Sequence, residues 1–252
     1  MDGNPDGATT SYFCQRCERE YPLTNGIADF VVPEQLSEQD AREERSVEKY
    51  ASYYDLMIKL FNLPFFTWEP TERRKCLQML RLRPNMRVLE VGIGSGLNIS
   101  YILKKMHMRG EYVGFDLSMK MLKIAQKRAQ KISFPVALHR ANGCHLPYKT
   151  EYFDVVIHFG SLNTFGEKEN AIEEMLRVTK PDGQILISAE GLKPGMENNI
   201  IGQVALKRRN LYSSTPPIKY LPPQIQPTLK WIFRNTFYCV YFVKSKEDGL
   251  QT

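Results

Sequence analysis

Nowhere does this chain of 252 residues carry an apolar run near the roughly 20 residues that a bilayer span needs. Its first ten residues, MDGNPDGATT, lack the basic and apolar regions of a secretory signal. Cysteine is scarce: five residues, of which only Cys14 and Cys17 lie close together. That argues against a disulfide framework and for a reducing, cytoplasmic setting. No internal repeat is found. With 42% hydrophobic and 25% charged residues, the chain has enough apolar content to fill one α/β core and enough charge to stay in solution. The net charge of +6 permits an acidic partner. However, KKMHMR (104–109) and KIAQKRAQK (123–131) read as solvated helix faces, so nucleic acid is not the expected partner.

Three zones follow in order. Residues 1–33 form a short leader with one cysteine pair. Residues 34–83 read as helical: Ser37 can cap a helix in which Val47, Tyr50, Tyr54, Met57 and Ile58 recur at helical spacing. Asn62 and Pro64 break it, and Thr71–Leu82 is a second short helix ended by Pro84. From 84 to 245 apolar strands alternate with helical stretches. RVLEV (87–91), EYVGFD (111–116), PVALHR (135–140), FDVVIHF (153–159) and GQILISA (183–189) read as strands. Leu97–Met106, a helix capped by Ser118, and EKENAIEEMLRV (167–178) lie between them. Such alternation implies right-handed crossovers and a doubly wound parallel sheet. TLKWIFRN (228–235) and FYCVYFVKS (237–245) are too close in sequence to be parallel, so they are expected to pair as an antiparallel hairpin. Residues 190–227 are proline-rich with at most one helix, Ile200–Leu211. They read as an insertion over a substrate, with Lys207, Arg208 and Arg209 as candidates to meet an anion; 246–252 is a tail.

Between the first strand and its helix stands EVGIGSG. Gly92, Gly94 and Gly96 permit positive φ and a close backbone approach to a ligand. The helix start behind them favours anionic groups. Glu90 lies inside the strand end, where an acid needs a partner. Asp116 closes the second strand, where a carboxylate can accept from both ribose hydroxyls. The third strand leads into RANGCHLPY, a polar turn placed to meet a base ring.

VLEVGIGSG, VGFDLS, LPYKTEYFDVVIHFGSLNTF and EEMLRVTKPDGQILIS, in this order and spacing, resemble the successive motifs of class I S-adenosylmethionine-dependent methyltransferases. Within these the chain is most similar to the quinone-biosynthesis and small-molecule branch, over roughly 45–245. The resemblance implies an α/β, doubly wound, seven-stranded Rossmann-like sheet with a C-terminal antiparallel hairpin, an N-terminal helical lid and S-adenosylmethionine as cofactor. It places Glu90, Gly92, Gly94 and Gly96 along the methionine portion, Asp116 at the ribose, and Leu117 and Met121 near the adenine. Asn142 stands where the family often has Asp; with Gly143 it would meet the adenine amino group. The family's KPGG reads KPDG here, with Asp182 in the turn. The leader is similar to the second half of a zinc-ribbon-like segment. Only two of the four ligands that structural zinc needs are present, so no metal is expected.

Methyl transfer from a sulfonium requires alignment above all, and a base only when the acceptor is protonated. His158, ending the fourth strand, is the base candidate, and it also lies beside the cofactor. His145 is a weaker one. Asn163 is placed to face substrate, and Tyr50 and Tyr54 share a helix face that would close over the cofactor, Tyr54 near the reacting atoms. FNLPFFTWEP (61–70) could wall an apolar pocket. The expected reaction is methylation of a small-molecule or lipid-like metabolite by in-line displacement. RNA methylation and a non-methylating cyclase of the same fold are the alternatives. Against RNA, HFGSLN stands where base-amino methyltransferases carry an Asn-Pro-Pro-Tyr-type motif.

Overall fold

Burial on both faces makes Met86–Val91 a central strand: Val88, Leu89 and Val91 are fully buried, and neighbours pair in parallel on either side. In this computed structural model, residues 11–15, 17–57, 69–160, 162–208 and 210–245 are described. In chain order the strands are β1 (Ser11–Cys14), β2 (Arg19–Thr24), β3 (Ile27–Asp29), β4 (Met86–Val91), β5 (Gly110–Asp116), β6 (Ala137–Arg140), β7 (Phe153–Gly160), β8 (Thr179–Glu190), β9 (Thr228–Ile232) and β10 (Phe237–Val243). The α-helices are α1 (Glu38–Tyr50), α2 (Glu69–Leu77), α3 (Ile99–Lys105), α4 (Met119–Ala129), α5 (Lys168–Val178) and α6 (Ile200–Arg208).

The strand order is β1-β2-β3-β6-β5-β4-β7-β8-β10-β9. From β6 to β9 it is the doubly wound sheet expected, closed by the antiparallel β9–β10 hairpin. Among the described residues the sheet has ten strands, the expected seven from β6 to β9 and three more. The leader adds the other three: β1–β2–β3 is antiparallel within itself, and β3 joins β6 in parallel through Ala28↔His139 and Asp29↔Arg140. Ile27 and Ala28 are buried, and Phe30 meets Tyr21 and His139 at ring distances of 5.3 Å. Three-residue β3 carries too little periodicity to be read as a strand from sequence. Cys14 and Cys17 are free thiols in this hairpin. Among the described residues, no three His, Cys, Asp or Glu gather as a metal site.

Two apolar layers flank the sheet. Val88, Ile157, Leu186 and the inner faces of α3 and α4 fill one; Leu89, Val91, Val156, Ile187 and α5 fill the other. At KPDG the chain bulges out of β8, with Asp182 at φ 60°, before parallel pairing with β7 resumes at Gln184. The helix expected from Ser37 onward is interrupted: α1 ends at Tyr50 and a 3-10 turn covers Ala51–Tyr53. Ser37 does cap it, accepting from the Asp40 amide at 3.0 Å.

Cysteine chemistry differs from expectation. Cys76 on α2 and Cys239 on β10 form a disulfide across 163 residues, both fully buried. Nothing in their sequence spacing announces it, because the sheet order brings them together. Among the described residues, no helix is long and apolar enough to cross a membrane.

Candidate active site

The carboxyl ends of β5, β4, β7 and β8 open into one cavity, the place where parallel α/β sheets bind ligands. Gly92 and Gly94 form its floor, Asp116, Leu117, Ser118 and Met121 one wall, and Ala141–Gly143 an end. Tyr50 and Tyr54 come down from above with their rings stacked 6.2 Å apart. Phe159, Gly160, Glu190 and Leu211 complete the far side, and Phe165 packs against Gly143.

Asp116 is built into the loop it faces. Its Oδ2 accepts from the Gly94 amide at 2.8 Å and its Oδ1 from the Ser118 amide at 2.9 Å. Burial pushes its carboxyl up to about 6, against those backbone donors. Gly94 has φ 55°, and a Cβ there would meet nothing within 4 Å. Gly160, with φ 128°, also faces open space. An open cradle between two glycines, flanked by a carboxylate with lone pairs to spare, fits the ribose and amino-acid portion of S-adenosylmethionine.

Several expected ligands sit elsewhere. Glu90 is not on the cavity wall; it is 2% exposed beneath it. Asn98 donates to its Oε1 at 2.6 Å, and Tyr112 donates to its Oε2. Arg73 from α2 donates in turn to Asn98 at 3.3 Å. Burial raises the Glu90 carboxyl to about 7. The acid thus ties β4, β5 and α3 together under the loop. Gly96 also stays off the wall. A Cβ there would come within 2.6 Å of Ile99 Cδ1 and 3.2 Å of Ala125 Cβ, so its role is close packing of loop on helix.

Asn142 and Gly143 do line the cavity. The Asn142 Oδ1, however, accepts from the Cys144 amide at 3.0 Å, and its Nδ2 donates to the Gln35 carbonyl at 3.2 Å. The side chain shapes the turn and holds the segment entering α1. Asn163 does not face substrate: it is buried and donates to the Glu190 carbonyl at 2.7 Å. His158 is fully buried and is not among the lining residues. Its Nδ1 donates to the Val91 carbonyl at 2.8 Å, and its ring meets Phe165 edge-on at 5.2 Å. Among the described residues its Nε2 has no partner, and burial lowers its pKa to about 4. His145 also lies off the wall. The aromatic run at 61–70 falls almost wholly outside the described residues, as does Arg209.

Reading by motif missed much of the upper and far walls. Asp40, Glu43 and Glu44 of α1 line the cavity, as do Phe165 and Glu190. Three polar anchors hold α1 and the turn after it over the opening. Arg140 Nη1 bonds Asp29 at 2.6 Å and its Nη2 bonds Glu44 at 2.5 Å, while its Nε donates to the Leu117 carbonyl at 2.9 Å. Glu48 accepts from the Ser118 hydroxyl at 2.6 Å. Asp55 pairs with Arg128 at 2.5 Å and accepts from the Ser95 hydroxyl at 2.6 Å. Among these anchors, Ser118 carries a sequence signal of its own, as the cap of α4.

Comparison with known proteins gives the same answer as the geometry. Residues 89–187 match the profile of the methyltransferase domain family. The demethylmenaquinone methyltransferase of Lactiplantibacillus plantarum is 36% identical over 48% of this chain and 52% of its own length. The ubiquinone/menaquinone biosynthesis C-methyltransferase UbiE of Ectopseudomonas mendocina is 31% identical over 72% of this chain and 69% of its own. The chain spans about half the length of the first curated relatives it matches. Among solved structures, a SAM-dependent methyltransferase from Aquifex aeolicus superposes with a TM-score of 0.51 at 18% identity, covering 68% of this chain and 88% of that one. Phosphoethanolamine N-methyltransferase 2 of Haemonchus contortus, solved with S-adenosyl-L-methionine, reaches 0.55 at 16% identity over 70% of this chain and 53% of its own. At those identities the structures speak for the fold, and the sequence match along two thirds of a curated relative speaks for descent: the chain belongs to the class I S-adenosylmethionine-dependent methyltransferases.

Proposed function

We propose that the protein methylates a quinol-type, lipid-like small molecule, with S-adenosylmethionine as donor. The observation that carries this reading is the single cavity at the ends of β5, β4, β7 and β8, which has a polar cradle at one end and an apolar, aromatic wall at the other. The names of the curated relatives support the quinone class.

Asp116 would accept from the ribose hydroxyls, the Gly92–Gly94 loop would hold the methionine portion, and Leu117, Met121 and the Asn142–Gly143 turn would enclose the adenine. Tyr50 and Tyr54 would cover the centre and keep water away. S-adenosylmethionine supplies an electrophilic methyl group, open to in-line displacement by a carbon or oxygen nucleophile. Against that donor, the chain's own contribution is alignment, which can be worth as much as about 7–11 kcal/mol. Phe159 and Leu211 would orient an apolar ring system beside Gly160. In this arrangement residues 34–83 act as a lid and 190–227 as a substrate cover.

The test is anaerobic incubation of the protein with S-adenosylmethionine and a prenylated 1,4-naphthoquinol, read by mass spectrometry. The expected product is heavier by one methylene. Cofactor binding by calorimetry without any such product would remove the quinol; no cofactor binding would remove the methyltransferase reading altogether.

A further inference from the structure

Among the described residues, Glu190 is the one acid on the far wall of the cavity, and it lies just beyond the stretch that matches the family profile. Sheet geometry separates it from the cofactor's polar cradle. Asp116 ends β5 and Glu190 ends β8, with β4 and β7 between them. Three strand spacings put their backbones about 14 Å apart, so Glu190 cannot share the ribose with Asp116. It stands instead beside Phe159, Gly160 and Leu211, where an acceptor would lie.

Strand register also separates it from His158. Val91, His158 and Ile187 are aligned partners and face the layer built on α5. Phe159 and Ser188 are aligned one residue further on and face the other side. Alternation places Glu190, two residues after Ser188, on the Phe159 side. The histidine is therefore turned toward Phe165, and the glutamate lines the cavity on the Phe159 side.

The backbone at Glu190 is held, and the residue is buried. Glu190 is 8% exposed. Its carbonyl is fixed by Asn163 at 2.7 Å, and its backbone pairs with Phe237 of β10. Burial raises the pKa of the Tyr54 phenol, and the charges of Glu190 and Asp116 add to it. Tyr238 of β10 feels Glu190 in the same way, and Arg73 of α2, stacked 4.0 Å over Phe159, opposes the effect at Tyr54.

We propose that Glu190 is the general base of the reaction, accepting a proton from a hydroxyl of the acceptor, with Asn163 as its positioning residue. The inference rests on the methyltransferase reading above. In the step, the acceptor O–H bond breaks and the proton bonds to a Glu190 carboxylate oxygen. The electron pair stays on the acceptor oxygen and is shared with its ring. Glu190, now neutral, returns the proton to water.

Three measurements test this on the full chain. Calorimetry with S-adenosylmethionine should give affinities within threefold for wild type and Glu190→Gln; a tenfold loss would make Glu190 a cofactor ligand and overturn the proposal. In naphthoquinol turnover, Glu190→Gln should lower kcat by at least about 100-fold with KM within threefold, and Glu190→Asp should recover part of it. The limb on which wild-type activity falls with acidification should vanish in Glu190→Gln. A kcat within threefold of wild type, or an unchanged limb, would overturn the proposal. If wild type methylates no quinol, the third arm still decides. Quenching of 1-naphthol fluorescence should show at least tenfold weaker binding to Glu190→Ala than to wild type, and equal affinities would overturn it. Far-ultraviolet spectra and thermal melting identify a variant that has not folded; Glu190→Asp then replaces it, with a lowered but measurable kcat as the expected result and a kcat equal to wild type as the one that overturns the proposal.

Discussion

The two ends of the cavity are made in opposite ways. The donor end comes from adjoining stretches of chain: the β4–α3 loop, the end of β5 and the start of α4, tied by hydrogen bonds from Gly94 and Ser118 to Asp116. The proposed acceptor end is assembled from four distant places: Tyr54 after α1, Phe159 on β7, Glu190 on β8 and Leu211 in the insertion. A cofactor common to a family can be met by local motifs, whereas an acceptor is met by whatever the fold brings to the opposite wall. Damage at the donor end should therefore spread into stability and cofactor affinity, and damage at the acceptor end should stay in substrate terms.

The strongest test of that contrast is Arg140→Met. It strands Asp29 and Glu44 while removing the link between leader, α1 and the Leu117 carbonyl. All three side chains are about one-fifth exposed, so breaking the pairs is expected to cost ~3 kcal/mol, at the low end for buried pairs. Urea unfolding measures this, and a loss below 1 kcal/mol would mean the leader and α1 are held by other contacts.

His158 gives a pH test of similar size. Its folded pKa of about 4 lies below the ordinary 6.5. Between those values the unfolded chain binds more protons, so this group's contribution is complete above pH 6.5 and is lost as pH falls toward 4. The full swing is about 3 kcal/mol. Glu90 and Asp116 work the other way: raised to about 7 and about 6, they favour the folded state below their ordinary pKa values and lose that contribution as pH rises through the raised ones. Wild-type stability should thus fall by roughly 2 kcal/mol from pH 4.5 to 6.5, because Glu90 offsets His158 and Asp116 is left over. Glu and Asp are left to act alone in His158→Gln, which should grow more stable on acidification relative to wild type. Denaturant midpoints across that range would show it, and parallel curves would refute a neutral buried imidazole.

Asp116→Asn probes the donor end directly. Losing one charge-assisted hydrogen bond is worth about 1.5–3 kcal/mol, or roughly 10- to 100-fold in affinity for S-adenosylmethionine by calorimetry. The smallest effect is expected from Leu211→Ala. It should raise the KM for a naphthoquinol several-fold, on the order of 1 kcal/mol of lost apolar contact, and leave cofactor affinity unchanged. A cofactor effect there as large as in Asp116→Asn would erase the distinction between the two ends.

The same contrast explains what could be read from sequence. The parallel core, the β9–β10 hairpin, Gly92, Gly94, Asp116, Leu117 and Met121 were legible because strand alternation and loop chemistry are local signals. Helical spacing paired Tyr50 with Tyr54, and their rings do stack although a 3-10 turn interrupts the helix between them. Glu90 was recognised as an acid needing a partner, but that partner proved to be Tyr112 and Asn98 rather than a ligand. The base assigned to His158 ignored which face of β7 it occupies, a fact set by register with β4 and β8. Glu190, the Cys76–Cys239 bond and the docking of β3 each depend on strand order over long separations, which no window of sequence contains.

The pairing of β3 with β6 has a consequence for biosynthesis. Ala28 finds its partner only when His139 has been made. At about 5–20 residues per second, the leader strand waits on the order of 6–20 s beside the ribosome before its edge can be covered. During that interval it is a short unpaired ribbon with an exposed thiol at Cys17. The leader strand is thus made well before the strand it docks on, and that edge of the sheet can close only once β6 has been made.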